Sequence, residues 1–134
     1  MQYAKIGMVD VRDVAAVAVT VLTEGDHEGM IYNLTGPESL SFADVALKLS
    51  DVADRPIIYQ DVPLEDYHQA LLDAGLSRWT VDRLVEFYAL WREGAADVVT
   101  NIVQDITGRP PRTFDQFAHD YEHVFRGIPT KITI

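Results

Sequence analysis

The first 63 residues alternate between short apolar runs and stretches in which apolar residues recur every three or four positions. The short runs, at residues 4–9, 30–35 and 57–62, have the length and the β-branched or aromatic content of strands. The periodic stretches, at residues 13–22 and 41–52, predict amphipathic helices between them. Strands and helices that alternate in this order favour a mostly parallel sheet with crossover helices.

After Pro63 the apolar period is helical. Four further helices are predicted, at residues 64–74, 80–93 and 101–107 and from residue 113 onwards. Thr113 and Gln116 form a capping box that starts the last of them. The length suits one domain. The predicted fold is α/β (α+β) over residues 1–134, with a sheet-and-helix part at 1–63, a helical part at 64–127, and a tail or extra strand at 128–134.

The first predicted helix is apolar on nearly all sides. Spacing assigns five residues to its core face: Val14, Val17, Ala18, Val21 and Leu22. The other side is almost as apolar: Ala15, Ala16, Val19 and Thr20. A helix of this kind is usually buried on more than one side. We therefore expect it to pack under something larger than the rest of this chain easily provides.

Composition excludes several classes of function. The net charge is −10, and the 11 basic residues are scattered, whereas nucleic-acid binding needs clustered lysine and arginine. There is no cysteine for disulfides or thiolate metal sites. No apolar run approaches the ~18 residues of a membrane span, and no signal peptide is seen. We expect a cytoplasmic protein that binds neither nucleic acid nor membranes.

Residues 32–50, YNLTGPESLSFADVALKLS, place a strand, a glycine turn and a helix in the order that binds phosphate in nucleotide-binding proteins. A phosphate loop needs several glycines whose amides converge on the anion. Here Gly36 stands alone and is followed by Pro37, which has no amide hydrogen. Ser41 and Asp44 instead form an acidic capping box. No cofactor-binding residue is predicted.

A second motif, HDYEH, matches the H-x-x-E-H pattern of inverted zincins. His119 and His123 would share a zinc ion on one helical face, with Glu122 as the base of a metallohydrolase. These residues also fall on the polar side of an amphipathic helix, and a third ligand would have to come from elsewhere. A solvated helix face is the favoured interpretation, and no metal is predicted.

No catalytic residue is predicted. The Tyr-x-x-x-Lys pair of short-chain dehydrogenases is absent, and Tyr88 with Arg92 is the nearest arrangement. One group of side chains is a candidate substrate pocket for a flat organic molecule: Tyr67, His68, Trp79, Tyr88 and Trp91. The alternative is that the aromatic members are core residues at helical spacing.

Three motifs occur together: VDVRDVA from Val9, LTGPE from Leu34 and GRPPRTF from Gly108. In this order, over residues 9–126, the chain resembles the C-terminal half of the NmrA-like family. These are atypical short-chain dehydrogenases with an NAD(P)-binding Rossmann fold, and they include quinone or azo reductases and redox-sensing regulators. The resemblance implies NAD(P) as the family cofactor. It places the glycine-rich loop in the N-terminal half, and residues 9–13 near the substrate and nicotinamide.

The resemblance leaves two functions open. One is the substrate-side C-terminal portion of an NAD(P)-dependent oxidoreductase that binds no cofactor and is not catalytically competent as an isolated chain, because the cofactor loop and Tyr-x-x-x-Lys are absent. The other is a stand-alone dimeric small-molecule-binding or regulatory module. In the whole family fold a large sheet would cover part of the first helix. Without that sheet we expect a homodimer through this helix.

Overall fold

A computed structural model describes residues 4–127 and the backbone of residues 131–133. The elements of this described part are β1 (Lys5–Ile6), α1 (Val11–Thr23), β2 (Leu40–Ser41), α2 (Phe42–Ala53), β3 (Ile58–Gln60), α3 (Leu64–Asp73), α4 (Arg78–Arg92), α5 (Ile102–Thr107), α6 (Phe114–Asp120), α7 (Glu122–Phe125) and β4 (Lys131–Thr133). None of these helices is long and apolar enough to cross a bilayer. The α/β class with a helical second half is confirmed.

The strands form two separate pairs. β1 runs antiparallel to β2, and β3 runs parallel to β4. Residues 30–35, predicted as a strand, form none, and the described chain offers the backbone N–H groups of residues 31–34 no hydrogen bond. The continuous β-α-β-α-β sheet is therefore a wrong detail of the prediction, because a strand forms only beside a neighbour. Of the predicted tail, residues 128–130 and 134 lie outside the described residues.

The main core lies where α2 packs against β3, α6 and α7. It contains Ala46, Leu49, Ala53, Ile57 and Ala118. The capping box that starts α2 is confirmed: Ser41 Oγ accepts the Asp44 N–H at 3.1 Å, and the Asp44 carboxylate accepts the Ser41 N–H at 2.9 Å. Alanines on both helices let α2 and α6 approach closely, which fixes the start of α6 beside the N-terminal segment.

Helix α1 buries a side that is shifted from the predicted one but shares Val17 with it. Asp13 and Val17 are buried where the helix packs against α5. Val14, Ala18 and Leu22, which spacing assigned to the core face, are exposed. When a helix is apolar on almost all sides, the spacing of its apolar residues does not show which side is buried. The contact with α5 decides this for α1. An apolar side of α1 is left in solvent.

The helical part follows the prediction more closely. Helix α4 starts two residues earlier than expected, at Arg78 after the N-cap Ser77, and it buries Val81 and Tyr88. Gly94 and Gly108, which follow α4 and α5, adopt the left-handed conformation with φ of +89° and +72°. The last helix is divided at Tyr121, whose φ of −112° leaves the helical range and separates α6 from α7.

Candidate functional site

Three of the predicted pocket residues meet around α4. The ring centroids of Tyr67 and Tyr88 lie 5.1 Å apart. Trp91 lines a small cavity together with Tyr88 and Tyr59. This cavity has a volume of about 10 Å³, which is at most enough for one water molecule. Tyr88 thus contacts the Tyr67 ring and shares this cavity with Trp91, and the role of the three residues in substrate binding stays a prediction.

The other two predicted residues lie apart from this cluster. His68 Nε2 is 2.9 Å from Asp82 Oδ1, so this pair links α3 to α4. Trp79 lies in the first turn of α4 with 72% of its surface exposed. The structure therefore brings together three of the five residues, and the remaining two occupy separate surface positions.

Tyr88 and Arg92 do not reproduce a Tyr-x-x-x-Lys pair. The Arg92 guanidinium carbon lies 5.3 Å from the Tyr88 ring centroid, and the guanidinium donates to the Asp61 carboxylate and the Val62 carbonyl. Burial, and then the hydrogen bond with Tyr88, raise the pKa of Tyr59. The Tyr59 hydroxyl therefore stays protonated at neutral pH, whereas the motif's tyrosine needs a lowered pKa.

The histidine motif is placed on the surface. The His119 side chain is 80% exposed, and its Nδ1 lies 3.7 Å from Glu122 Oε2. His119 and His123 belong to different helices, because the break at Tyr121 falls between them. In the part of the chain that the structure describes, no three histidine, aspartate or glutamate side chains are grouped as metal ligands would be.

The glycine turn is a close-packed corner. A Cβ at Gly36 would lie 2.0 Å from the Met8 carbonyl oxygen. Beside it, Thr35 Oγ1 accepts the Thr100 N–H at 2.9 Å. The corner thus holds Gly36 against the segment after β1.

Two of the three sequence motifs meet in an ion-pair network. Asp13 Oδ2 accepts the backbone N–H of Arg112 at 2.7 Å, and Asp13 Oδ1 accepts its guanidinium. Asp10 is the N-cap of α1 and accepts the Arg12 N–H at 2.8 Å, and Arg12 also reaches Asp120. The hydrogen bond from the Arg12 side chain lowers the pKa of Asp10. The network anchors the start of α1 to the segment before α6.

An apolar pocket of about 310 Å³ opens beside this network, between residues 8–11 and the start of α6. Its walls are Met8, Val9, Asp10, Val11, Thr113, Phe114 and Phe117. Both the volume and the aromatic lining fall in the range of small-molecule sites. Asp10 and Thr113 already accept N–H groups as helix caps, so a bound molecule would meet mainly apolar surface.

Sequence reasoning placed residues 9–13 near the substrate but missed Phe114 and Phe117. Both look like ordinary members of the apolar face of the last helix. Only a contact between segments about a hundred residues apart brings their rings to the Met8–Val9 segment. The GRPPRTF motif, which ends in Phe114, was the one signal for this position.

No protein-family model matches the chain. The chain is 41% identical over 121 residues to an NAD(P)H azoreductase from Xenophilus azovorans, which covers 90% of this chain and 42% of that protein. It is 34% identical over 122 residues to (4-alkanoyl-5-oxo-2,5-dihydrofuran-3-yl)methyl phosphate reductase from Streptomyces griseus, covering 91% and 43%. The chain thus spans less than half of these relatives, and the match lies in their C-terminal part.

The chain also spans less than half of a related protein whose crystal structure is known. An NADPH-dependent quinone oxidoreductase from Escherichia coli, also known in complex with NADPH, superposes with a TM-score of 0.78 at 25% identity, covering 91% of this chain and 43% of that chain. The chain corresponds to the C-terminal half of an NmrA-like protein. The pocket at residues 8–11 and the exposed side of α1 lie near the start of this NmrA-like half. In a relative, the unmatched N-terminal part of the sequence ends near this point.

Proposed function

We propose that these 134 residues form the substrate-side portion of an NAD(P)H-dependent reductase of the NmrA-like family. The observation that carries this proposal is the 41% identity to the NAD(P)H azoreductase across 121 residues. The substrate class that we propose is a conjugated electron acceptor, such as an azo compound or a quinone. The aromatic walls of the Met8–Phe117 pocket suit such flat rings.

We further propose that the chain does not bind the cofactor by itself. Its sequence contains no glycine-rich dinucleotide loop, and the Gly36 corner is filled by the Met8 carbonyl. In a reductase the nicotinamide supplies the hydride, and the protein positions it against the substrate. The residues that hold NAD(P) would then come from the dinucleotide-binding part, and this portion would contribute pocket walls.

Titration calorimetry with NADPH tests whether the chain binds the cofactor by itself. We expect no saturable heat when NADPH is added to the 134-residue chain, because its sequence contains no glycine-rich loop whose backbone amides would converge on the phosphates. The full-length azoreductase from Xenophilus azovorans is the positive control. Saturable binding of NADPH by the short chain at micromolar concentration would contradict the proposal.

A second candidate function is a stand-alone dimeric module for small-molecule binding or regulation. The observation that favours it is the apolar side of α1 that the described chain leaves exposed, because such patches promote association. A two-fold dimer would bring the exposed helix faces of two copies together.

We expect sedimentation to give twice the 15.0 kDa mass of the chain at micromolar concentration. Val19, exposed by 63% on α1, is the residue to change. Val19→Lys should yield monomers, because a lysine in the helix contact would lose its hydration. Leu47→Lys, at a 67% exposed position of α2, is the matched control and should leave the dimer intact. A monomeric wild-type chain would refute self-association.

A further inference from the structure

A second cleft borders the ion-pair network, between the start of α1, the end of α5 and the start of α6. Its volume is about 340 Å³, and none of its described lining residues belongs to the Met8–Phe117 pocket. Three arginines line it: Arg12, Arg109 and Arg112. They are three of only 11 basic residues in a chain whose net charge is −10. Basic side chains that are scattered in the sequence therefore meet in the fold, and we call this site the arginine cleft.

The three arginines differ in how many of their donors are in use. All three guanidinium nitrogens of Arg12 donate to aspartates. Arg112 donates to Asp13 through Nη1, and its Nε and Nη2 have no acceptor among the described residues. The Arg109 guanidinium has no acceptor there at all. Arg109 therefore brings to the cleft a positive charge that no carboxylate of the described chain pairs with.

Gln116 adds a neutral donor on the α6 side of the cleft. Its side-chain oxygen accepts the Thr113 N–H at 2.9 Å within the capping box, so the NH₂ group is the free end of this amide. No described residue accepts a hydrogen bond from that NH₂ group. The cleft thus presents unused donors from three side chains, Arg109, Arg112 and Gln116.

The backbone that carries these donors is held in place. The Arg109 N–H donates to Thr107 Oγ1 at 3.3 Å, which fixes it to the end of α5. Pro110 and Pro111 restrict the chain that follows. At the far end of this segment, the Arg112 N–H donates to Asp13 at 2.7 Å. A ligand would therefore meet donors on a backbone that needs little further ordering, which lowers the entropic cost of binding.

A carboxylate is the group that this arrangement suits. The planar fork of a guanidinium bonds to both oxygens of a carboxylate. A doubly charged phosphate suits it less, because Arg12 and Arg112 are already paired with aspartates and only the charge of Arg109 is unpaired. The volume fits a small organic molecule rather than a lone ion. We propose that the arginine cleft binds a small organic molecule through one carboxylate group, with Arg109, Arg112 and Gln116 as its donors.

The site goes beyond the proposed reductase function and is tested without any cofactor. Benzoate is titrated into the 134-residue chain and followed by proton–nitrogen NMR. The side-chain N–H signals of Arg109 and Gln116 should shift and saturate, with a dissociation constant of about 1 mM. Benzamide has the same shape without the charge, and it should bind roughly tenfold more weakly.

Two variants remove the donors and leave the fold intact. Arg109→Gln should weaken benzoate binding by roughly tenfold, because the charged fork is lost. Gln116→Glu should weaken it by at least as much, because a carboxylate replaces the NH₂ group, and the capping box accepts glutamate as well as glutamine. Arg78→Gln, at an exposed position of α4, is the matched control and should change binding by less than about twofold. Circular dichroism of each variant checks that it is folded.

Several results would overturn the carboxylate site. One is the absence of saturable shifts up to ~20 mM benzoate, and another is equal binding of benzamide. Binding that survives both Arg109→Gln and Gln116→Glu would do the same. Shifts confined to Phe114 and Phe117 would place benzoate in the Met8–Phe117 pocket instead. Inorganic phosphate that binds the cleft more tightly than benzoate would refute the choice of a carboxylate.

Discussion

Replacing Asp13 with alanine should lower the free energy of unfolding by roughly 3 kcal/mol. The Asp13 carboxylate is buried and accepts both the backbone N–H and the guanidinium of Arg112, a residue 99 positions away. Removing one partner of a buried pair leaves the hydrogen-bond donors of the other without acceptors. The resulting loss of stability is larger than the net stabilisation that the intact pair provides. The Arg112 side chain is partly exposed and regains some water, so the loss lies at the lower end of the range for buried pairs.

Urea unfolding followed by circular dichroism measures this loss. The midpoint should fall while the slope stays constant, at one fixed protein concentration, because association changes apparent stability. Asp115→Ala is the control: Asp115 pairs with Lys48 at the surface, and its loss should cost less than about 1 kcal/mol. Equal costs for the two substitutions would show that the Asp13 pair stabilises no more than a solvated one.

Replacing Gly36 with alanine should destabilise the fold by about 3 kcal/mol. The new Cβ would lie 2.0 Å from the Met8 carbonyl oxygen. The obstacle is backbone, so no change of side-chain rotamer relieves it, and residues 8 and 36 must move apart. That movement also strains the hydrogen bond between Thr35 and Thr100, which is 2.9 Å long.

Gly25→Ala is the matched control, because no atom lies within 4 Å of a Cβ built at Gly25. Its effect should stay within about 0.5 kcal/mol. Thermal unfolding of both variants and of the unchanged chain measures the difference in their unfolding temperatures. If Gly36→Ala unfolds at the same temperature as Gly25→Ala, residues 8 and 36 are not in the contact described here.

Helix starts are the features that sequence reasoning located best. Ser41 and Thr113 were each expected to begin a capping box, and each accepts the N–H of the residue three positions later. The reason is that a cap is a local interaction, complete within four residues. The acidic capping box at Ser41 and the glycines after α4 and α5 belong to the same class.

Long-range contacts were the features that sequence reasoning could not locate. The pairing of Asp13 with Arg112 joins two motifs that were recognised separately, and nothing within either motif points to the other. The pocket walls Phe114 and Phe117 escaped notice for the same reason. Hydrophobic spacing also shifted the core face of α1, and of its five predicted members only Val17 is buried. The reason is that a helix apolar on all sides carries no directional signal.

By itself, the sequence determined the helix positions, the α/β class, the kinship with the C-terminal half of NmrA-like proteins and the absence of a phosphate loop. The kinship follows from the resemblance of three motifs, and the other three follow from local spacing or from residue inventory. Only the tertiary structure decided which side of α1 is buried, that residues 30–35 form no strand, and that Gly36 lies against the Met8 carbonyl. These three features depend on contacts between segments that are far apart in the sequence. No single stretch of the chain shows which of these contacts are most favourable.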